Sequence, residues 1–217
     1  MESKLYPSPE SGAPLLVLLT HEEEGERVLA AVRGRTREPF SLLCVGVEHW
    51  GDDLTPWPSE SIHRGSPPYA GGAEAFLEKL VEEVVPAAER ELGSESAYRA
   101  LVGYSLAGLF ALWTAYRTEA FSRIGSVSGS LWYEGFADYA LRETPAGNPG
   151  KIYFSLGERE SRTRHPLVRT VEENTILIER FWAERGCRTV FEKNRGGHFY
   201  EREERTARAA AWLLENG

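Results

Sequence analysis

One stretch constrains this chain more than any other: Arg99 to Trp113, which reads RALVGYSLAGLFALW. Ala100, Leu101 and Val102 form a short apolar strand that runs into Gly103-Tyr104-Ser105-Leu106-Ala107-Gly108, and an apolar, alanine-rich segment of helical character follows at once. A strand that turns sharply into a helix exposes the side chain at the turn, and it needs small residues where backbone and helix come close. Gly103 and Gly108 meet that need, and Ala107 nearly does. By itself a G-x-S match also fits an ordinary turn with a solvated serine. Flanked by a strand and a helix, it is the setting in which a serine becomes a nucleophile, so Ser105 is the candidate. The backbone N–H of Leu106 then lies at a helix N-terminus, where it can stabilise an oxyanion; one such donor is typically worth about 3 kcal/mol of barrier.

The rest of the chain alternates strand and helix. Leu15 to Thr20 (LLVLLT) and Phe40 to Val47 (FSLLCVGV) are continuous apolar runs of strand length, as expected for strands buried on both faces of a parallel sheet. Further strands are predicted at Ser122 to Ser128, Lys151 to Leu156 and Arg188 to Glu192. Helical segments fall at Glu26 to Arg33, Gly72 to Leu92, Leu106 to Tyr116, Phe136 to Arg142, Leu167 to Arg185 and Arg202 to Glu215, the second bent or restarted at Pro86. Such alternation argues for an α/β architecture with a mostly parallel sheet covered by helices on both faces. Its reactive groups are expected in the loops after the C-terminal strand ends. Residues 1–13 read as an extended lead-in. Trp50 to Ala70 has no periodicity and holds four of the twelve prolines, a loop long enough to be functional.

At 217 residues the chain reads as a single domain, 1–217, able to bury roughly 70% of its unfolded surface. Its net charge of −8 lacks the electrostatic footprint of a nucleic-acid binder. No apolar run exceeds a strand's length and the N-terminus lacks a signal-peptide layout, so a soluble cytoplasmic protein without a membrane partner is expected. Cys44 and Cys187 have no C-x-x-C spacing and read as reduced, buried thiols. With no H-E-x-x-H, no Cys/His cluster and no phosphate-loop fingerprint, neither metal nor cofactor is expected. A homodimer is left open.

A serine hydroxyl needs a base within hydrogen-bond reach and a third group to orient that base. Of five histidines, His198 follows two glycines and a strand and lies C-terminal to Ser105; His21, His49, His63 and His165 read as surface or locally satisfied loop residues. The acid should stand at the end of the preceding strand, where Gly157-Glu158-Arg159-Glu160 offers two carboxylates. Glu160 is favoured, with Glu158 as the alternative.

From Pro14 to its last helix the chain resembles the esterase family of α/β-hydrolases that includes enterochelin esterase-like and esterase D-like enzymes. The matching stretches are Glu83-Val84-Val85-Pro86, GYSLAGLFALW, SGSLWY at 128–133, GERE at 157–160 and GGHFY at 196–200. The resemblance implies a compact α/β-hydrolase fold and a triad of Ser105, Glu160 and His198, since Gly157 and Glu160 match the family's G-x-x-D/E spacing. It also implies a second oxyanion N–H from the loop after an early strand, where the family carries D-G or H-G. Here that loop reads Thr20-His21-Glu22, so the candidate backbone is His21 or Glu22. Ala107 replaces a usual glycine, and the short lead-in implies that an outer strand or two of the larger members is missing. Trp50, Trp57, Trp132 and Tyr133, with Tyr104 beside the serine, are expected around a pocket for a small ester substrate, the alternative being that the loop aromatics simply pack the loop covers. The expected activity is ester hydrolysis through an acyl-enzyme. The same triad also suits acyl transfer, and the altered oxyanion loop also suits a non-catalytic binding protein of this fold.

Overall fold

The apolar runs do become strands, and they meet in one sheet. The structure is a computed structural model that describes residues 2–20 and 24–215. Strands β1 (Ser3–Tyr6), β2 (Leu15–Thr20), β3 (Ser41–Gly46), β4 (Arg99–Tyr104), β5 (Arg123–Val127), β6 (Lys151–Gly157) and β7 (Arg188–Asn194) form a seven-stranded sheet of order β1-β3-β2-β4-β5-β6-β7. Strands β2 to β7 pair in parallel, and β1 alone is antiparallel, against β3. All six residues of β2 are buried, which is why its sequence shows no alternation.

Eight α-helices lie among the described residues, α1 (Gly25–Arg33), α2 (Trp50–Asp53), α3 (Ala73–Lys79), α4 (Val85–Leu92), α5 (Leu106–Thr114), α6 (Phe136–Arg142), α7 (Val171–Ala183) and α8 (Arg202–Leu214), with a short 3-10 turn, Val168–Thr170, before α7. The period-two alternation of strand side chains splits the core into two layers. Leu15, Val17, Leu19 and Leu101 pack with Phe76, Phe110, Ile178 and Trp182 of α3, α5 and α7. On the other face, Leu16, Leu18, Leu42 and Val102 pack with Val28 and Val32 of α1 and with Ala210 and Leu213 of α8. Every residue of α5 is buried, so the helix after the sharp turn is apolar all round. No helix among the described residues is long and apolar enough to cross a membrane.

Three local features have physical causes, and two of them, the first and the last, differ from the sequence reading. The lead-in supplies β1, whose two exposed and two half-buried residues are made a strand by pairing with Leu42 to Val45 and not by any pattern of their own. The helix at Gly72 to Leu92 restarts at Pro86: a wide turn over Leu80–Val84 joins α3 to α4, and the proline occupies the start of α4, where its missing N–H costs least. The tract read as a loop from Trp50 to Ala70 opens with the single turn of α2 and contains one bridge, Ser59 to Tyr69.

Candidate active site

The C-terminal ends of β4 to β7 gather four loops at one edge of the sheet. Ser105, between β4 and α5, has φ 61° and ψ −121°. A non-glycine residue in that region carries a cost of order 1–3 kcal/mol and persists only where its surroundings over-determine it. Here the Ser105 N–H donates to the Val127 carbonyl (3.0 Å), while its own carbonyl accepts from Gly108, Leu109 and Ser130 at 3.0–3.1 Å. The turn also explains Gly103, where a Cβ would stand 2.2 Å from the Ala107 carbonyl oxygen. Ala107 itself is fully buried, so one methyl fits where the family carries glycine.

His198 comes from the loop after β7. Its Nε2 lies 3.0 Å from Ser105 Oγ, and its Nδ1 lies 2.7 Å from Glu160 Oε2. Its backbone carbonyl accepts the Tyr104 hydroxyl, which burial pushes up from its ordinary pKa and so keeps as a donor. The Glu160 side chain is 5% exposed, and its Oε1 accepts from the Gly157 N–H (2.5 Å), the Ser128 hydroxyl (2.9 Å) and the Arg205 guanidinium (3.2 Å). Burial works to raise the Glu160 pKa, but the hydrogen bond and charge of His198 and the donors from Gly157 and Ser128 outweigh it, holding the carboxyl below its usual range. Glu158 is exposed and contributes its backbone N–H to the Asn194 carbonyl, so the carboxylate that reaches the imidazole is that of Glu160.

Leu106 is the first residue of α5, so its N–H has no intrahelical acceptor. His21 and Glu22, the candidates for a second donor, lie outside the described residues. Ser130 was not anticipated; its hydroxyl lies 3.4 Å from that of Ser105 and lines the same cleft.

Two cavities meet at Ser105 and His198. The larger, about 360 Å³, is walled by Trp50, Ile62, Tyr69, Leu106, Trp132 and Val171. The smaller, about 130 Å³, has an apolar floor of Leu18, Leu19 and Val28 and a rim where Arg202 pairs with Glu24. Of the residues expected around a pocket, Trp50 borders both cavities, Trp132 the larger and Tyr104 the smaller. Trp57 and Tyr133 instead hold the cover together: Tyr133 donates to the Trp57 carbonyl (2.6 Å), and Trp57 stacks with Phe136. Phe199, 81% exposed, borders both cavities; it sits inside the GGHFY match, and its adjacency to His198 was the available signal. Arg162 and Arg164 line a separate open depression that includes neither Ser105 nor His198.

A parallel sheet with an outer antiparallel strand, a strained serine between strand and buried helix, and a serine, histidine and glutamate linked in a row define an α/β-hydrolase fold. The family model described as "Putative esterase" matches residues 40–202, and the chain belongs to that family. Among curated proteins it is similar to "Uncharacterized protein YbbA" of Bacillus subtilis (strain 168), 26% identical over 150 residues, a match spanning 67% of this chain and only 60% of YbbA. Solved structures with the same fold include the siderophore hydrolase EstA from Aspergillus nidulans (18% identity, TM-score 0.74, covering 94% of this chain and 83% of that one). Another is an IroE-like serine hydrolase from Shewanella oneidensis (13% identity, TM-score 0.80, 95% and 72%).

Proposed function

We propose that this protein is a serine hydrolase that cleaves a carboxylic ester through an acyl-enzyme. Ser105 Oγ attacks the ester carbonyl carbon while His198 Nε2 takes its proton. Glu160 accepts the Nδ1–H, fixes the tautomer and stabilises the imidazolium that forms. The Leu106 N–H holds the oxyanion, with a second donor from the backbone at His21 or Glu22. The tetrahedral intermediate collapses as the C–O bond breaks, and the alcohol leaves with the proton from His198. Water, deprotonated by the same imidazole, then releases the acid and restores Ser105.

The observation that carries this reading is the row of hydrogen bonds, 3.0 Å from Ser105 to His198 and 2.7 Å from His198 to Glu160, set on a strained turn. Membership of an esterase family supports the bond class, and likeness in fold to a siderophore hydrolase and to a serine hydrolase supports hydrolysis. The two unequal cavities favour an ester with one bulky apolar or aromatic half and one small half. The buried free thiols Cys44 and Cys187 suit a cytoplasmic setting.

The test is hydrolysis of p-nitrophenyl acetate and butyrate, with fluorophosphonate labelling, by wild type and Ser105→Ala side by side. Labelling and turnover that vanish in the variant are expected. Product that appears only with an added acyl acceptor transfers the reading to acyl transfer. A wild-type protein that is neither labelled nor active leaves a binding protein.

A further inference from the structure

Arg205 lies in α8, its side chain is fully buried, and the steps above do not use it. Burying a guanidinium is costly unless its donors are satisfied. Its Nη1 donates to Ser128 Oγ (3.0 Å), Glu160 Oε1 (3.2 Å) and the Tyr104 hydroxyl (3.2 Å); its Nη2 donates to the carbonyls of Arg195 (2.8 Å) and Gly197 (3.0 Å). These partners come from the ends of β4, β5 and β6 and from the loop after β7, where Arg195 and Gly197 precede His198.

We propose that Arg205 is the positioning residue of this site, one planar fork that fixes the Glu160 loop and the His198 loop against each other; the inference rests on the triad reading above. Three features favour it over simple core packing. The fork engages Glu160 through Oε1, on the oxygen opposite to the one that meets the imidazole, so it sets the carboxylate's rotation without competing for His198. Gly157 is required to admit it, since a Cβ there would lie 2.9 Å from Arg205 Nη2 and 2.6 Å from the Gly196 carbonyl. The arrangement is kept although the buried Nε of Arg205 has no hydrogen-bond partner among the described residues, a cost that an apolar residue would not carry. Lysine carries the charge but has a single nitrogen, which cannot span both loops.

Charged and titratable groups facing Arg205 are Glu160 from the loop after β6, Tyr104 from β4 and His198 from the loop after β7. On α8 itself, Arg202 pairs with Glu24 and Arg208 with Glu192. Removing this buried positive charge makes its neighbours easier to protonate, so the acidic limb of the rate profile moves to higher pH.

The experiment measures kcat and KM for p-nitrophenyl butyrate per fluorophosphonate-labelled site, with the pH profile and melting curve, in wild type, Arg205→Met and Arg205→Lys. In Arg205→Met, kcat should fall by about 10²-fold with KM little changed, the scale expected for misplaced catalytic groups, and the acidic limb should move up. Arg205→Lys should return the limb to its wild-type position without restoring kcat. Wild-type kcat per labelled site in Arg205→Met, whatever its melting temperature, overturns the proposal. Should that variant fail to fold, wild-type kcat per site in Arg205→Lys does the same. Failure of the triad reading shows separately, as turnover that survives Ser105→Ala.

Discussion

On one side of the cleft, Tyr104, Ser105, Ser128, Glu160, His198 and Arg205 meet through hydrogen bonds between named polar atoms at the ends of four strands. Across from them, residues 50–71 form a cover in which aromatic packing dominates, Trp57 standing 6.1 Å from Tyr133 and 5.2 Å from Tyr139, centroid to centroid, with hydrogen bonds from Tyr133 to the Trp57 carbonyl and from Trp57 and Ser59 to Glu134 pinning it at one end. Hydrogen bonds are directional and fix atoms to fractions of an ångström, whereas ring packing is tolerant of shape. On the function proposed above, the first wall carries the chemistry and the second chooses what enters. They should therefore respond differently to mutation.

The largest effects belong to the hydrogen-bonded wall. His198→Ala should lower kcat/KM by about 10⁴-fold or more, and Glu160→Gln by about 10³-fold, while Glu158→Gln stays near wild type. Equal losses at the two glutamates in steady-state assays would break the contrast. The pH dependence carries the same sign. Because the folded Glu160 pKa is depressed, its stabilisation is present above the ordinary carboxylate range and is lost as pH falls through the lowered value. Melting curves should show that acid loss in wild type and less of it in Glu160→Gln.

The cover should answer in stability and selectivity. Trp57→Ala should cost about 2 kcal/mol of unfolding free energy in urea titration, with kcat per labelled site retained at low temperature. Trp132→Ala should raise KM for a bulky aromatic ester about tenfold and leave the acetate ester nearly unchanged. A uniform fall in kcat for both esters would mean that the cover also positions the reacting groups.

The smallest effect sharpens the comparison from outside it. Burial pushes the thiols of Cys44 and Cys187 up to about 12, so neither should react with a disulfide reagent at pH 8 until urea unfolds the chain. With folded pKa values raised, their contribution to stability is full below the ordinary thiol pKa and declines as pH rises above it. Reaction in the native state at the unfolding-independent rate of a free thiol would contradict this.

What was legible in the sequence follows the same division. Strand β2 spans Leu15–Thr20 as read, because a parallel strand covered on both faces must be apolar at every position. That Ser105, Glu160 and His198 come together was legible because sharp turns need glycine next to them: Gly103 before the serine, Gly157 before the glutamate and Gly196-Gly197 before the histidine. Trp57 stayed open between two places because an aromatic in a loop reads alike whether it lines a cavity or packs the loop itself, and the structure has it packing the loop. Arg205 was passed over as one charge among many in α8. Yet it precedes Ala209 and Leu213 at i+4 and i+8, on the stripe that faces the sheet, and that register was the available signal.

The four residues of β1 bear on how this sheet meets other chains. Without them the outer backbone groups of Ser41–Gly46, on a run as apolar as LLCV, would stand open as a template for a foreign strand. With them the margin is short, half-exposed and marked by Lys4, bridged to Glu26. The opposite margin, β7, carries Arg188, Glu192 and Lys193. Both borders discourage lateral growth, so the sheet ends where its own chain ends it.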